Sequence, residues 1–178
     1  MPPHTHSGLE KIADEFYHPP DSFEVSVIGL GSVFASEIKE RGEAGGGAQV
    51  LECLLGIDRI RKINVINRNV SKAYALIHKS VGFSSKEVRV YSSEQIEEGI
   101  SNSDITIVAI NSSPSPYSKR KDQFSYNKDS IKKIALAHKR AEFDGTTIIV
   151  TNPTDESAYL FASITQKPFN VVGMNHLD

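Results

Sequence analysis

The stretch FEVSVIGLGSVFA, residues 23–35, constrains the fold of this chain more than any other. Its β-branched apolar residues predict a strand that is buried on both faces, and Gly29 and Gly31 follow directly. A helix is predicted to begin at Ser32. A strand that turns into a helix through Gly-x-Gly is typical of a dinucleotide-binding corner, because glycine permits the turn and the helix N-terminus offers N–H groups to a pyrophosphate. These three residues are therefore candidate cofactor-binding residues, although glycine turns also occur in folds that bind nothing.

The rest of the chain alternates between predicted strands and predicted helices. After the first strand, strands are predicted at residues 62–67, 87–91, 104–110, 146–151 and 170–174. The helices between them are predicted at residues 32–39, 48–55, 69–81, 94–100, 122–143 and 155–164. This alternation predicts an α/β fold: a doubly wound parallel sheet in a Rossmann-like three-layer αβα sandwich, a single domain with strand order 3-2-1-4-5-6.

The first half of the chain also contains a glycine-rich segment and the single cysteine. The segment RGEAGGG, residues 41–47, is expected to be flexible and to lie outside any regular element, because glycine is unfavourable there. Cys53 falls in the following helix and is expected to be a small buried apolar residue. Residues 1–20 are expected to form a mobile leader, and residues 21–178 the dinucleotide-binding domain.

Composition excludes several classes of protein. With 178 residues and a net charge of −2, the chain has the size of one domain and lacks the basic character of a nucleic-acid or membrane-surface binder. A single cysteine excludes an internal disulfide, and no apolar run is long enough for a membrane span. The histidines of residues 1–20 lack partner ligands, so no metal site is predicted. A cytoplasmic location is expected.

The end of the second predicted strand bears on the choice of cofactor. A carboxylate at this position would accept hydrogen bonds from an adenosine ribose, but the chain has Asn67 followed by Arg68. An asparagine does not repel a 2′-phosphate, and an arginine can bind one through paired hydrogen bonds. This pattern favours NADP slightly over NAD. A solvated turn whose arginine binds nothing is the alternative.

The second half resembles the lactate/malate dehydrogenase family. The run TNPTDESAYLFASITQKPFNVVGMNHLD, residues 151–178, is similar to that family's Asn-Pro-x-Asp turn, helix, Val-x-Gly strand and Leu-Asp pair. DITIVAI, the proline-containing loop ending in Lys119-Arg120, and the helix with Asn127 resemble its fourth strand, mobile loop and next helix. The resemblance covers residues 23–178 and is clearest after Asp104.

This resemblance implies roles for particular residues. Arg120 matches the loop arginine that polarises the substrate carbonyl during hydride transfer, and Asn152 matches the asparagine that hydrogen-bonds substrate or nicotinamide. Asp178 matches the aspartate that orients the catalytic histidine. A fixed cation suits a developing alkoxide, and a carboxylate sets the tautomer of a histidine. Each also has a structural alternative: a solubilising loop arginine, a turn asparagine and a terminal residue.

Departures from the family pattern leave two hypotheses. Asn111, a candidate cofactor-binding residue, stands where the family usually has glycine, and the family's catalytic histidine would lie beyond Asp178. One hypothesis is the NAD(P)-binding domain of an oxidoreductase acting on a small 2-hydroxy or 2-oxo acid, which we expect to be inactive as this chain alone. The other is a non-catalytic Rossmann module for nucleotide sensing or protein interaction. Homo-oligomer formation is left open.

Overall fold

The computed structural model describes residues 21–30, 46–80, 85–112 and 120–174. Six strands form one sheet in the order β3-β2-β1-β4-β5-β6. Every neighbouring pair is parallel, with Val27 of β1 opposite Val65 of β2 on one side and Ile107 of β4 on the other. The predicted doubly wound sheet and its strand order are therefore confirmed.

Helices connect the strands in regular alternation. The strands are β1 (Phe23–Ile28), β2 (Ile60–Ile66), β3 (Glu87–Tyr91), β4 (Ile105–Val108), β5 (Thr146–Ile149) and β6 (Val171–Gly173). The helices are α1 (Gly46–Leu55), α2 (Val70–Ser80), α3 (Ile96–Ile100), α4 (Arg120–Arg140) and α5 (Thr154–Thr165), and a 3-10 turn, Pro168–Asn170, precedes β6.

Alternate residues of the strands supply two separate cores. On one face, Val25 and Val27 of β1 pack with apolar residues of α1 and α2. On the other face, Ile28 packs with residues of α3, α4 and α5, including the fully buried Phe161. Because successive side chains of a strand point to opposite faces, a sheet covered by helices on both sides buries both sets of residues, including the polar Glu24 and Ser26 of β1.

The prediction for the glycine-rich segment is wrong at its end, because Gly46 and Gly47 form the first turn of α1. A Cβ atom on Gly47 would lie 2.0 Å from the carbonyl oxygen of Gly29. Only a residue without a side chain lets the helix approach the turn after β1 this closely, and this close packing offsets the low helix propensity of glycine.

Cys53 is exposed on α1, so the prediction that it is buried is also wrong. The buried stripe of this helix runs through Gly47, Leu51 and Leu54 instead. Other differences concern boundaries: β4 and β5 end two residues earlier than predicted, at Val108 and Ile149, and α4 begins at Arg120. The predicted leader and the helix predicted at residues 32–39 lie outside the described residues.

Candidate functional site

A cavity of about 320 Å³ opens at the carboxyl ends of β1, β2 and β4. It lies where the strand order reverses, between β1 and its two neighbours β2 and β4. Ligands of doubly wound folds bind at this switch point. The cavity walls combine isoleucines with polar and cationic side chains: Ile66, Ile96, Ile110 and Ile134 with Asn67, Arg68, Asn69, Lys72, Ser93, Asn111, Ser112, Ser130 and Lys133.

Gly29 lines this cavity, and a residue with a side chain would be strained at this position. Its φ is +88°, and a Cβ atom would lie 2.8 Å from Cγ2 of Ile110. Its N–H donates to the carbonyl of Ile66 at 2.9 Å, which ties the turn to the end of β2. The predicted glycine thus lies at the switch point, with a backbone conformation that favours glycine.

The amide group of Asn67 links two loops at the cavity. Its Oδ1 accepts from the N–H of Leu30 at 3.4 Å, and its Nδ2 donates to the carbonyl of Asn69 at 2.9 Å. Asn69 then caps α2, because its Oδ1 accepts from the N–H of Lys72 at 3.0 Å. Asn67 therefore has a structural role beside the one predicted from sequence.

Three cations line the cavity from two directions. Arg68 and Lys72 come from the loop after β2 and the first turn of α2, and Lys133 comes from α4. No carboxylate lines the cavity among the described residues. A site with this charge favours an anionic ligand, and the N-terminus of α2 adds a positive helix dipole end.

On the other side of the cavity, the backbone of the loop after β4 is fixed on either side of Asn111. The hydroxyl of buried Thr151 accepts from the N–H of Ile110 at 3.0 Å, and Oδ1 of Asn127 accepts from the N–H of Ser112 at 2.7 Å. Between them lies Asn111, an exposed residue that lines the cavity. The predicted site residue therefore projects from a backbone held on both sides.

Of the other site residues predicted from the sequence, two lie in the described part of the chain and three do not. Asn152 is exposed in the turn after β5, and its carbonyl accepts from Nδ2 of Asn127 at 2.8 Å. Arg120 is the first residue of α4 rather than a loop residue. Gly31, Ser32 and Asp178 lie outside the described residues.

Sequence reasoning missed Lys72, Lys133 and the role of Asn127. Lys72 could have been found, since a cation in the first turn of a helix opposes the helix dipole and so stands out in the sequence. Lys133 carries no local signal, because it reaches the cavity only through the packing of α4 beside α3.

A glycine turn, a switch-point cavity and a cationic rim define the NAD(P)-binding class of Rossmann domain. The chain belongs to the family described as Shikimate / quinate 5-dehydrogenase, whose model matches residues 42–137, more than half of the 178 residues. No curated protein gave a significant sequence match.

Solved structures agree on the fold. The chain is similar to malate dehydrogenase from Cryptosporidium parvum, with a TM-score of 0.67 and 20% identity over 86% of this chain and 45% of that one. Lactate dehydrogenase from Eimeria maxima with NADH and oxamate gives a TM-score of 0.62 and 19% identity over 90% of this chain and 45% of that one.

A third neighbour is malate dehydrogenase from Archaeoglobus fulgidus in complex with NADH, with a TM-score of 0.61 and 22% identity over 82% of this chain and 46% of that one. The chain thus spans less than half the length of these enzymes. The resemblance to lactate and malate dehydrogenases is confirmed for the Rossmann domain. No helix among the described residues is long and apolar enough to cross a membrane.

Proposed function

We propose that this chain is the NAD(P)-binding domain of an oxidoreductase that transfers hydride to or from a hydroxy acid, with a preference for NADP. The observation that carries the proposal is the switch-point cavity with its three cations, Arg68, Lys72 and Lys133. The pyrophosphate of either nucleotide calls for positive charge, and Arg68, beside Asn67 at the end of β2, would hold the additional 2′-phosphate of NADP.

The two halves of a dinucleotide would lie on the two sides of Gly29. The adenosine half belongs over the ends of β1 and β2, where Asn67 and Arg68 are placed, and the nicotinamide half over the ends of β4 and β5. Asn111 and Asn152 are exposed at those two ends and would contact the nicotinamide half or the substrate. The bound dinucleotide would supply or accept the hydride.

The substrate class follows from the relatives. Lactate and malate, in the names of the structural neighbours, are 2-hydroxy acids, and shikimate and quinate, in the name of the family, are ring hydroxy acids. A hydroxyl that is oxidised to a carbonyl on a carboxylate-bearing molecule is common to all of them. We propose a small 2-hydroxy or 2-oxo acid, with Arg120 polarising the carbonyl, Asn152 hydrogen-bonding it and Asp178 orienting a histidine. The free thiol of Cys53 is compatible with a cytoplasmic location.

The test is calorimetric titration of the chain with NADP⁺ and NAD⁺. A charge-assisted hydrogen bond contributes about 1.5–3 kcal/mol, so we expect a ten- to hundredfold preference for NADP⁺ that Arg68→Ala removes. Arg61→Ala is the matched control. Arg61 lies near the opposite end of β2, where it forms an ion pair with Glu24, so this variant should keep the preference.

Two outcomes contradict the proposal in different ways. Equal affinity for both nucleotides, unchanged by Arg68→Ala, would remove the NADP preference but leave a dinucleotide site. If the wild type binds neither nucleotide, the chain is a Rossmann module of another kind, such as a protein-interaction domain.

A further inference from the structure

Asn127 is the residue through which α4 contacts both loops of the second half of the site. Its side chain is almost wholly buried, at 1% exposure, and each polar atom of its amide has one loop as partner. Oδ1 accepts from the N–H of Ser112, 15 residues earlier, and Nδ2 donates to the carbonyl of Asn152, 25 residues later.

Both distances, 2.7 Å to Ser112 and 2.8 Å to Asn152, lie within the range of well-formed N–H···O hydrogen bonds. A second contact joins α4 to the same loop, since the hydroxyls of Ser130 and Ser112 lie 3.2 Å apart. Because an amide has both a donor and an acceptor on one rigid plane, a single side chain sets the separation of the two loops.

The fixed backbone atoms are those next to the exposed asparagines of the site. Ser112 follows Asn111, and the Asn127 side chain binds the carbonyl of Asn152 itself. On the other side of Asn111, Thr151 fixes Ile110. When buried side chains hydrogen-bond the backbone of a loop, the exposed side chains of that loop are already ordered before a ligand binds. Less conformational entropy is then lost on binding.

We propose that Asn127 is a positioning residue that holds Asn111 and Asn152 at the separation required by the nicotinamide half of the ligand. The inference rests on the proposed function, because it assigns the ends of β4 and β5 to that half of a dinucleotide. Asn127 itself is buried beneath the loops and acts only through them. The adenosine half, over β1 and β2, is outside its reach.

The experiment compares two ligands on the full chain by calorimetry: NADP⁺, and 2′,5′-ADP, which has the adenosine half and its 2′-phosphate but no nicotinamide. Asn127→Asp keeps the shape of the side chain and the acceptor for Ser112, and in its ionised form it cannot donate to Asn152. We expect the affinity for NADP⁺ to fall about three- to tenfold, the value of one neutral hydrogen bond, and that for 2′,5′-ADP to stay within about twofold.

Asn64→Asp is the matched control, because Asn64 is also a buried, hydrogen-bonded asparagine but lies within β2. It should lower stability without changing the ratio of the two affinities. If Asn127→Asp does not fold, Asn127→Ser, which is too short to reach either loop, is the second variant. It should weaken NADP⁺ binding at least as much and leave the affinity for 2′,5′-ADP within about twofold.

The inference is overturned if an Asn127 variant weakens both ligands equally or neither, as a purely structural residue would. Equal affinity of the wild type for the two ligands would also overturn it, because the nicotinamide half would then have no site. If the wild type binds neither ligand, the proposed function fails first and this inference fails with it.

Discussion

His138 illustrates how a single residue of the core affects stability. Its ring is 2% exposed and lies in edge contact with the rings of Phe143 and Phe161. Nδ1 lies 2.9 Å from the carbonyl of Ile134, and Nε2 lies 2.9 Å from the hydroxyl of Thr106. Because a carbonyl can only accept, the neutral ring carries its proton on Nδ1.

Burial lowers the pKa of His138 to about 4 from the ordinary 6.5, against a smaller opposing effect of the Ile134 hydrogen bond. Between these values the unfolded chain binds the proton and the folded chain does not, so stability rises with pH. We expect the free energy of unfolding to fall by about 3 kcal/mol through this residue as the pH drops from 6.5 to 4.

Urea unfolding at a series of pH values measures this dependence. Carboxylates titrate in the same range, so the informative quantity is the difference between the wild type and His138→Gln, whose profile should be flatter. His78→Gln, at an exposed position of α2, controls for the histidine-to-glutamine substitution itself. Parallel profiles for the wild type and His138→Gln would show that the histidine is not buried in its neutral form.

At the scale of elements, the contact between α1 and the turn after β1 depends on one missing side chain. A Cβ atom at Gly47 would meet the carbonyl oxygen of Gly29 at 2.0 Å and Cα of Leu30 at 2.8 Å. At Gly46, one position earlier in the same helix, a Cβ atom would have no neighbour within 4 Å. Comparing substitutions at these two glycines therefore separates the effect of packing, which differs between them, from that of helix propensity, which does not.

We expect Gly47→Ala to destabilise the protein by about 1–3 kcal/mol, because helix and turn must move apart. Gly46→Ala should be neutral, or stabilise by up to about 1 kcal/mol through helix propensity. Urea unfolding of both variants measures the difference. Equal effects of the two substitutions would mean that α1 does not pack this closely on the turn.

At the scale of the whole molecule, the proposed ligand touches both halves of the sheet and should stabilise the fold as a unit. A ligand that binds only the folded state adds about 2.7 kcal/mol at a hundred times its dissociation constant. We expect NADP⁺ to raise the free energy of unfolding by this amount, and Arg68→Ala to require proportionately more ligand. Thermal unfolding at several ligand concentrations measures the shift. An unfolding temperature that does not rise at ligand concentrations above the calorimetric dissociation constant would contradict this expectation.

The sequence by itself determined the sheet. Strand periodicity and β-branched composition are local properties, and the strand order followed from the Rossmann pattern that the Gly-x-Gly turn after the first strand indicates. Gly29 and the Asn67–Arg68 turn were also predictable, because a positive φ and a strand end leave a signature within a few residues. The predicted roles of Arg120, Asn152 and Asp178 stay predictions.

Only the tertiary structure decided which side chains meet. Lys133 reaches the cavity, and Asn127 binds Ser112 and Asn152, because α4 packs beside α3 and α5. The glycines of α1 misled the sequence prediction for the same reason: helix propensity is local, whereas the close approach of Gly47 to Gly29 is not. The local sequence determines which helices and strands form. The packing of these elements brings together residues that are far apart in the chain, and this packing creates the site.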